Sequence, residues 1–233
     1  MEAGSLTTGK IASMIDHSLL RPDLSVEELK QGVQLAIEFN AANVTVKPCD
    51  VKIARDLLAG SGVPLCTVIG FPHGTTTTET KVFETIEAIE HGVTEIDVVQ
   101  NIGRFKSADY DFVQQDIERV VEASHARDAI VKVILENHYL TEEEIREACR
   151  LFDAVGVDFV KTSTGYAGSG AKISDCKIMR ASVSDETQVK AAGGIRTLDQ
   201  LLEYLDVGVT RIATRSTAEI LKEAQARESS GEL

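Results

Sequence analysis

"VDFVKTSTGYAGSG", residues 157–170, begins as a buried strand and ends as a glycine loop, with Lys161 at the junction. Lysine is among the side chains least often fully buried, so one embedded in an apolar run has to be either neutralised or used. The pattern recurs on both sides, as Lys132 in "AIVKVILEN" (129–137) and Lys190 in "QVKAAGG" (188–194). Working outward, short β-branched runs continue along the chain: "SMIDHSLL" (13–20), "NVTVKP" (43–48), "LCTVIGFP" (65–72), "EIDVVQNIG" (95–103) and "TRIATRS" (210–216). With "DFVKTSTG" (158–165) they make eight strand candidates. Between them lie segments of helical period such as 25–39, 78–92 and 141–156, some opened by capping-box patterns, as at Thr141-x-x-Glu144 and Ser216-x-x-Glu219. Eight evenly sized strand–helix units without a composition break predict an α/β (β/α)8 TIM barrel in preference to a doubly wound open sheet. The reading gives a single domain over residues 1–233, with frayed termini at 1–10 and 226–233.

Composition narrows the function. The 233 residues are 43% hydrophobic and carry a formal charge of −13, which argues against nucleic acid or an anionic membrane as partner but leaves room for a locally positive anion site. Four scattered cysteines with no C-x-x-C pair read as reduced thiols of a cytoplasmic protein. The first residues lack a secretory pattern, and no stretch approaches the ~18–20 apolar residues of a membrane span. No H-x-H or H-E-x-x-H pair offers a metal site, which argues against zinc-dependent chemistry. "GYAGSGAK" (165–172) fails the P-loop pattern because Ala171 separates Gly170 from Lys172.

In a barrel the chemistry belongs at the C-terminal ends of the strands. That rule selects Asp16, Lys47, His73, Asp97, Asn101, Lys132, Glu136, Lys161, Lys190 and Arg215. Lys132, Lys161 and Lys190, on consecutive strands, are expected to face one another in one lumen and to depress each other's pKa. A lysine so depressed is the nucleophile that Schiff-base chemistry requires, and Asp97 offers a carboxylate for proton transfer. The alternative is that each lysine is a structural cation paired with Asp97, Asp16 or Glu136.

Taken together and in order, "TVIGFPHG" (67–74), "EIDVVQNIG", "VKVILE" (131–136), "VKTSTG" (160–165) and "VKAAGGIRT" (189–197) resemble the deoxyribose-phosphate aldolase family from about Ile11 to Leu221. The resemblance implies a metal-free class I aldolase barrel that cleaves 2-deoxyribose 5-phosphate reversibly to glyceraldehyde 3-phosphate and acetaldehyde, its partners thus a sugar phosphate and an aldehyde. It implies Lys161 as the Schiff-base residue, Lys190 as the lysine that lowers its pKa, Asp97 as the acid of the proton relay, and Lys132 and Asp16 as polar residues of the same site. It also implies a homo-oligomer, a dimer or a tetramer.

For the phosphate, the barrel rule points to the loops after strands seven and eight, with Gly193, Gly194, Arg215 and Ser216, and Gly165 follows strand six as a further glycine at which a backbone N–H can approach an anion. Here the sequence departs from the family. Where the family carries Gly-x-Ser-Ser, this chain has Ala213 and Arg215 and keeps only Ser216; Thr45 stands where many members have cysteine, and Asn137 where threonine is usual. No tyrosine ends the chain, although some members use one in proton transfer. A related Schiff-base aldolase for another aldehyde pair, or a catalytically silent sugar-phosphate-binding barrel, are the competing readings.

Overall fold

The computed structural model describes residues 6–233. Eight parallel strands close on themselves in sequence order: β1 Ile15–Leu19, β2 Asn43–Val46, β3 Leu65–Ile69, β4 Glu95–Val99, β5 Ile130–Ile134, β6 Phe159–Lys161, β7 Gln188–Ala192 and β8 Arg211–Thr214. Pairing of Asp16 with Ala213 joins β8 back to β1. The open-sheet alternative is thereby excluded. The helices are α1 Thr8–Ala12, α2 Val26–Glu38, α3 Val51–Leu58, α4 Thr78–Glu90, α5 Ile102–Lys106, α6 Tyr110–His125, α7 Glu142–Val155, α8 Ile173–Ser182, α9 Leu198–Asp206 and α10 Thr217–Ser230.

Local chemistry starts the helices. Thr141 accepts from the backbone of Glu144 while its own N–H donates to the Glu144 carboxylate; Ser25/Glu28 do the same, and so do Thr197/Gln200 with the Gln200 carboxamide oxygen as acceptor. Ser216 departs from the expected box. Its side chain caps nothing, and its backbone N–H donates to Thr214 Oγ1 at 3.0 Å instead. On α2 the buried residues are Leu29, Val33 and Ala36, the i, i+4, i+7 stripe of a helix seated on a sheet.

Alternation along the strands separates two layers. Ile96 and Val98 belong to the core between strands and helices, whereas Glu95 and Asp97 point into the lumen. Asp97 is thus the middle residue of β4, one turn of pleat deeper than the strand end at which the sequence reading places it. One buried cation sits outside the lumen: Lys81 on α4 bridges Asp116 of α6 and the Val99 carbonyl.

The ends also differ from expectation. Residues 1–5 of the expected frayed segment lie outside the described residues, but Thr8–Lys10 are helical, and the Thr8 N–H donates to Glu228 at 3.0 Å. At the other end α10 runs to Ser230, Arg227 pairs with Asp199 at 2.7 Å, and Leu233 packs on the core. Polar composition suggested fraying there; the polar groups instead find partners across the chain.

Candidate active site

Strand pairing brings the predicted residues to one place. Asp97 lies beside Lys132, and Lys161 beside Lys190, across hydrogen-bonded strand neighbours. Lys161 Nζ and Lys190 Nζ each stand 2.6 Å from the same oxygen, Asp97 Oδ2. Lys132 Nζ takes the other oxygen at 3.0 Å and reaches Glu95 at 2.6 Å. Lys190 also contacts Asp16 Oδ2 at 2.5 Å, while Arg211 holds Asp16 Oδ1 at 2.8 Å and approaches Glu95 at 3.5 Å.

These contacts close into a ring of alternating sign: Glu95, Lys132, Asp97, Lys190, Asp16, Arg211 and back to Glu95. Three cations match three carboxylates, all buried except Arg211, which keeps some contact with solvent. Lys161 hangs on Asp97 as a fourth amine with no carboxylate of its own. Sequence reading missed Glu95 and Arg211, although each lies two residues from a lumen-facing position on its own strand.

The charge balance decides which amine is least favoured as an ammonium. Burial works against every ammonium here. For Lys132 and Lys190 it is overcome by carboxylates on two sides, Asp97 and Glu95 for the first and Asp16 and Asp97 for the second, so their pKa values rise. For Lys161 burial prevails, with the Lys190 cation adding to it against the pull of Asp97, and its pKa falls below the ordinary lysine value. The expectation that the three lysines depress one another therefore holds for Lys161 alone. Burial would also raise the two aspartates, but Lys132, Lys161 and Lys190 hold Asp97 well below the carboxylate range, and Lys190, Lys132 and Arg211 hold Asp16 at about 2.

Above Lys161 opens a cavity of about 400 Å³. Lys161 is the one lysine that lines it; Lys132, Lys190, Asp97 and Asp16 lie beneath its floor. Gly165, Gly193, Gly194, Arg215 and Ser216 all line its walls. Gly170 is pressed on Gly193 so closely that a Cβ there would meet the Gly193 carbonyl oxygen at 2.2 Å, which locks the β6–α8 loop against the β7–α9 loop. The lining holds Arg21, Arg196 and Arg215 and no carboxylate among the described residues. Arg21 is bound to Glu28 at 2.7 Å, but Arg196 and Arg215 have no ion-pair partner among the described residues, and Glu219 does not take up Arg215. A protein of charge −13 thus keeps a cationic cavity. Sequence reading missed Arg196, Ser18 and Tyr166 in this wall. Tyr166 donates to the Leu20 carbonyl at 2.6 Å and so ties the β6–α8 loop to the segment after β1. Of the other strand-end candidates, His73 is exposed, Lys47 pairs with Asp50 at 3.2 Å, and Glu136 accepts from the Thr164 backbone N–H at 3.1 Å.

The comparisons agree with this geometry. The family model for DeoC/LacD family aldolases matches residues 10–218. The deoxyribose-phosphate aldolase of Thermoanaerobacter sp. (strain X514) is 46% identical over 214 residues, covering 91% of this chain and 96% of that protein. That of Staphylococcus haemolyticus (strain JCSC1435) is 47% identical over 211 residues, covering 91% and 95%. Among solved structures, the tetrameric deoxyribose phosphate aldolase from Aeropyrum pernix superposes with a TM-score of 0.88 at 28% identity, over 94% of this chain and 93% of that one. With the family model spanning all eight strands and relatives of this identity covering nine-tenths of the chain, the protein belongs to the DeoC/LacD family of aldolases.

Proposed function

We propose that this lyase is a class I aldolase that cleaves 2-deoxy-D-ribose 5-phosphate, reversibly, to D-glyceraldehyde 3-phosphate and acetaldehyde through a Schiff base on Lys161. The observation that carries the reading is the surplus amine. Lys161 stands outside a charge-balanced ring, at the floor of a cavity whose wall holds Arg196 and Arg215, neither with an ion-pair partner among the described residues. A neutral amine attacks the C1 carbonyl of the open-chain sugar, and the carbinolamine loses water to give an iminium. The iminium withdraws electrons from the C2–C3 bond. As that bond breaks, the C3 hydroxyl gives up its proton and leaves as the aldehyde of glyceraldehyde 3-phosphate, and the electron pair becomes the enamine. Protonation of the enamine carbon and hydrolysis release acetaldehyde and restore Lys161. Asp97 and Lys190, in contact with each other and with Lys161, are the acid–base pair for these transfers. Lys132 and Asp16 hold that pair in place.

The phosphate end is assigned to Gly165, Gly193, Gly194, Ser216 and Arg215. Glycines let backbone N–H groups approach an anion, and Arg215 offers a charge-assisted bidentate grip. The same Arg215, with Ala213 two residues before it, favours one second reading: a Schiff-base aldolase whose cavity suits a different anionic tail. A homo-oligomer, dimer or tetramer, fits both readings. Its support is the tetrameric relative, and light scattering tests it. The cytoplasm is the compartment implied by this metabolism and suits four free thiols. The activity is tested by incubation with acetaldehyde or deoxyribose 5-phosphate, reduction with borohydride and mass mapping. An adduct on Lys161 is expected; its absence with any aldehyde would leave a silent sugar-phosphate-binding barrel.

A further inference from the structure

Two members of the ring, Glu95 and Arg211, neither contact Lys161 nor line the cavity. Their contacts show what they control. Asp16 is held on one oxygen by Arg211 and on the other by Lys190. Lys132 is shared between Glu95 and Asp97, and Lys190 between Asp16 and Asp97. Asp97 therefore receives only the share of each lysine that the far partners leave to it, and among the described residues Asp97 is the one carboxylate that touches Lys161. We propose that Glu95 and Arg211 are positioning residues that set how much of Lys161 is free amine, by fixing how Lys132 and Lys190 divide between Asp97 and the carboxylates below it. This rests on Lys161 being the Schiff-base residue.

The two residues act with opposite sign. Without Arg211, Asp16 has Lys190 as its remaining ring cation. Lys190 is drawn toward Asp16, Asp97 is left under-neutralised, and a proton on Lys161 becomes more favourable. Without the charge of Glu95, Lys132 serves Asp97 alone, Asp97 is over-neutralised, and a proton on Lys161 becomes less favourable. Cys66 on β3 lies 3.4 Å from Asp97, with burial pushing its thiol up to about 12, and so stays neutral. β2 turns Asn43 and Thr45 into the lumen, neither of them titratable. Lys47, after β2, is paired to Asp50. At the mouth stand Arg21, Arg196, Arg215 and Tyr166, which neither substitution touches.

The experiment is the pH dependence of borohydride trapping of acetaldehyde on Lys161, from about pH 5 to about pH 10, in the parent, Glu95→Gln, Arg211→Met, Arg211→Lys and the double variant Glu95→Gln/Arg211→Met. Glutamine keeps an acceptor for Lys132 and for Asn43, which donates to Glu95 at 2.6 Å. The trapping midpoint should rise by about one pH unit in Arg211→Met and fall by about as much in Glu95→Gln, the scale of one charge nearby in a poorly screened interior. It should return near the parent in the double variant and stay there in Arg211→Lys. A merely structural role for the pair would lower the folded fraction without moving the midpoint in opposite directions. If circular dichroism shows that Arg211→Met does not fold, Glu95→Gln decides alone by its downward shift. Unmoved midpoints, or shifts of the same sign, overturn the proposal and leave Lys161 as the nucleophile. No adduct on Lys161 in the parent removes the nucleophile itself, and with it the proposal.

Discussion

Replacing Lys161 by Leu leaves Lys132, Lys190 and Arg211 still matched to Glu95, Asp97 and Asp16. On the proposed Schiff-base role of Lys161, turnover should fall by at least about three orders of magnitude while the fold persists. Stability should move the other way. The folded pKa of Lys161 lies below the ordinary 10.5, chiefly through burial, so between the two values the unfolded chain binds a proton that the folded one does not. In that window folding expels a proton at a cost, and stability rises with pH. Lys161→Leu should therefore melt higher than the parent near neutral pH, with the gap closing as pH approaches 10.5, in paired thermal scans. Loss of stability instead would identify Lys161 as a needed ion-pair partner. Lys190→Leu takes away the cation that disfavours the Lys161 ammonium, so the acid limb of kcat/KM should move to higher pH in whatever activity remains. A limb that stays put would remove Lys190 from this role.

At the scale of elements, the two loops after β6 and β7 act as one piece through Gly170 and Gly193. Gly170→Ala places a Cβ against backbone atoms that cannot rotate aside. Parting the loops should cost about 1–3 kcal/mol of stability and raise KM for the phosphorylated sugar more than it lowers kcat, a split that steady-state kinetics reads directly. Arg215, between β8 and α10, should matter only for the phosphate. Arg215→Ser should lower kcat/KM for deoxyribose 5-phosphate about tenfold, the scale of one charge-assisted contact, and leave unphosphorylated deoxyribose nearly unchanged. An equal effect on both sugars would point to a different tail. The elements were legible in the sequence because strands buried on both faces read as apolar runs and the lysines interrupt them. Glu95 and Arg211 were not, because a charge at the start of a run reads as its boundary. Only the inward direction of Asp97 and Ala213, two residues on, reveals that they share the lumen. Arg196 was missed for another reason: a loop has no period, so nothing in "GGIRT" says that the side chain turns toward the cavity.

At the scale of the whole molecule, α1 and the last turns of α10 meet, with the Thr8 N–H donating to Glu228. Deleting residues 227–233 removes the Arg227–Asp199 and Thr8–Glu228 contacts and the Leu233 packing. For a chain of this size each kcal/mol lost lowers Tm by about 2–4 °C, and a fall of that order is expected, with the Lys161 adduct still forming in the cold. An unchanged Tm would mean that these contacts contribute nothing. The ring of alternating charges has a wider reach than the chemistry it surrounds. Its members come from β1, β4, β5, β7 and β8, and β2 adds Asn43 as a donor to Glu95. A one-residue slip of any of those strands during closure would turn its charged side chain outward into the apolar layer beneath the helices. The partner left in the lumen would be an unpaired buried ion, at about 3–5 kcal/mol or more. Apolar side chains forgive a shifted register because one methyl resembles another; six interlocked charges do not, so they act as a combination lock that admits a single alignment of the staves.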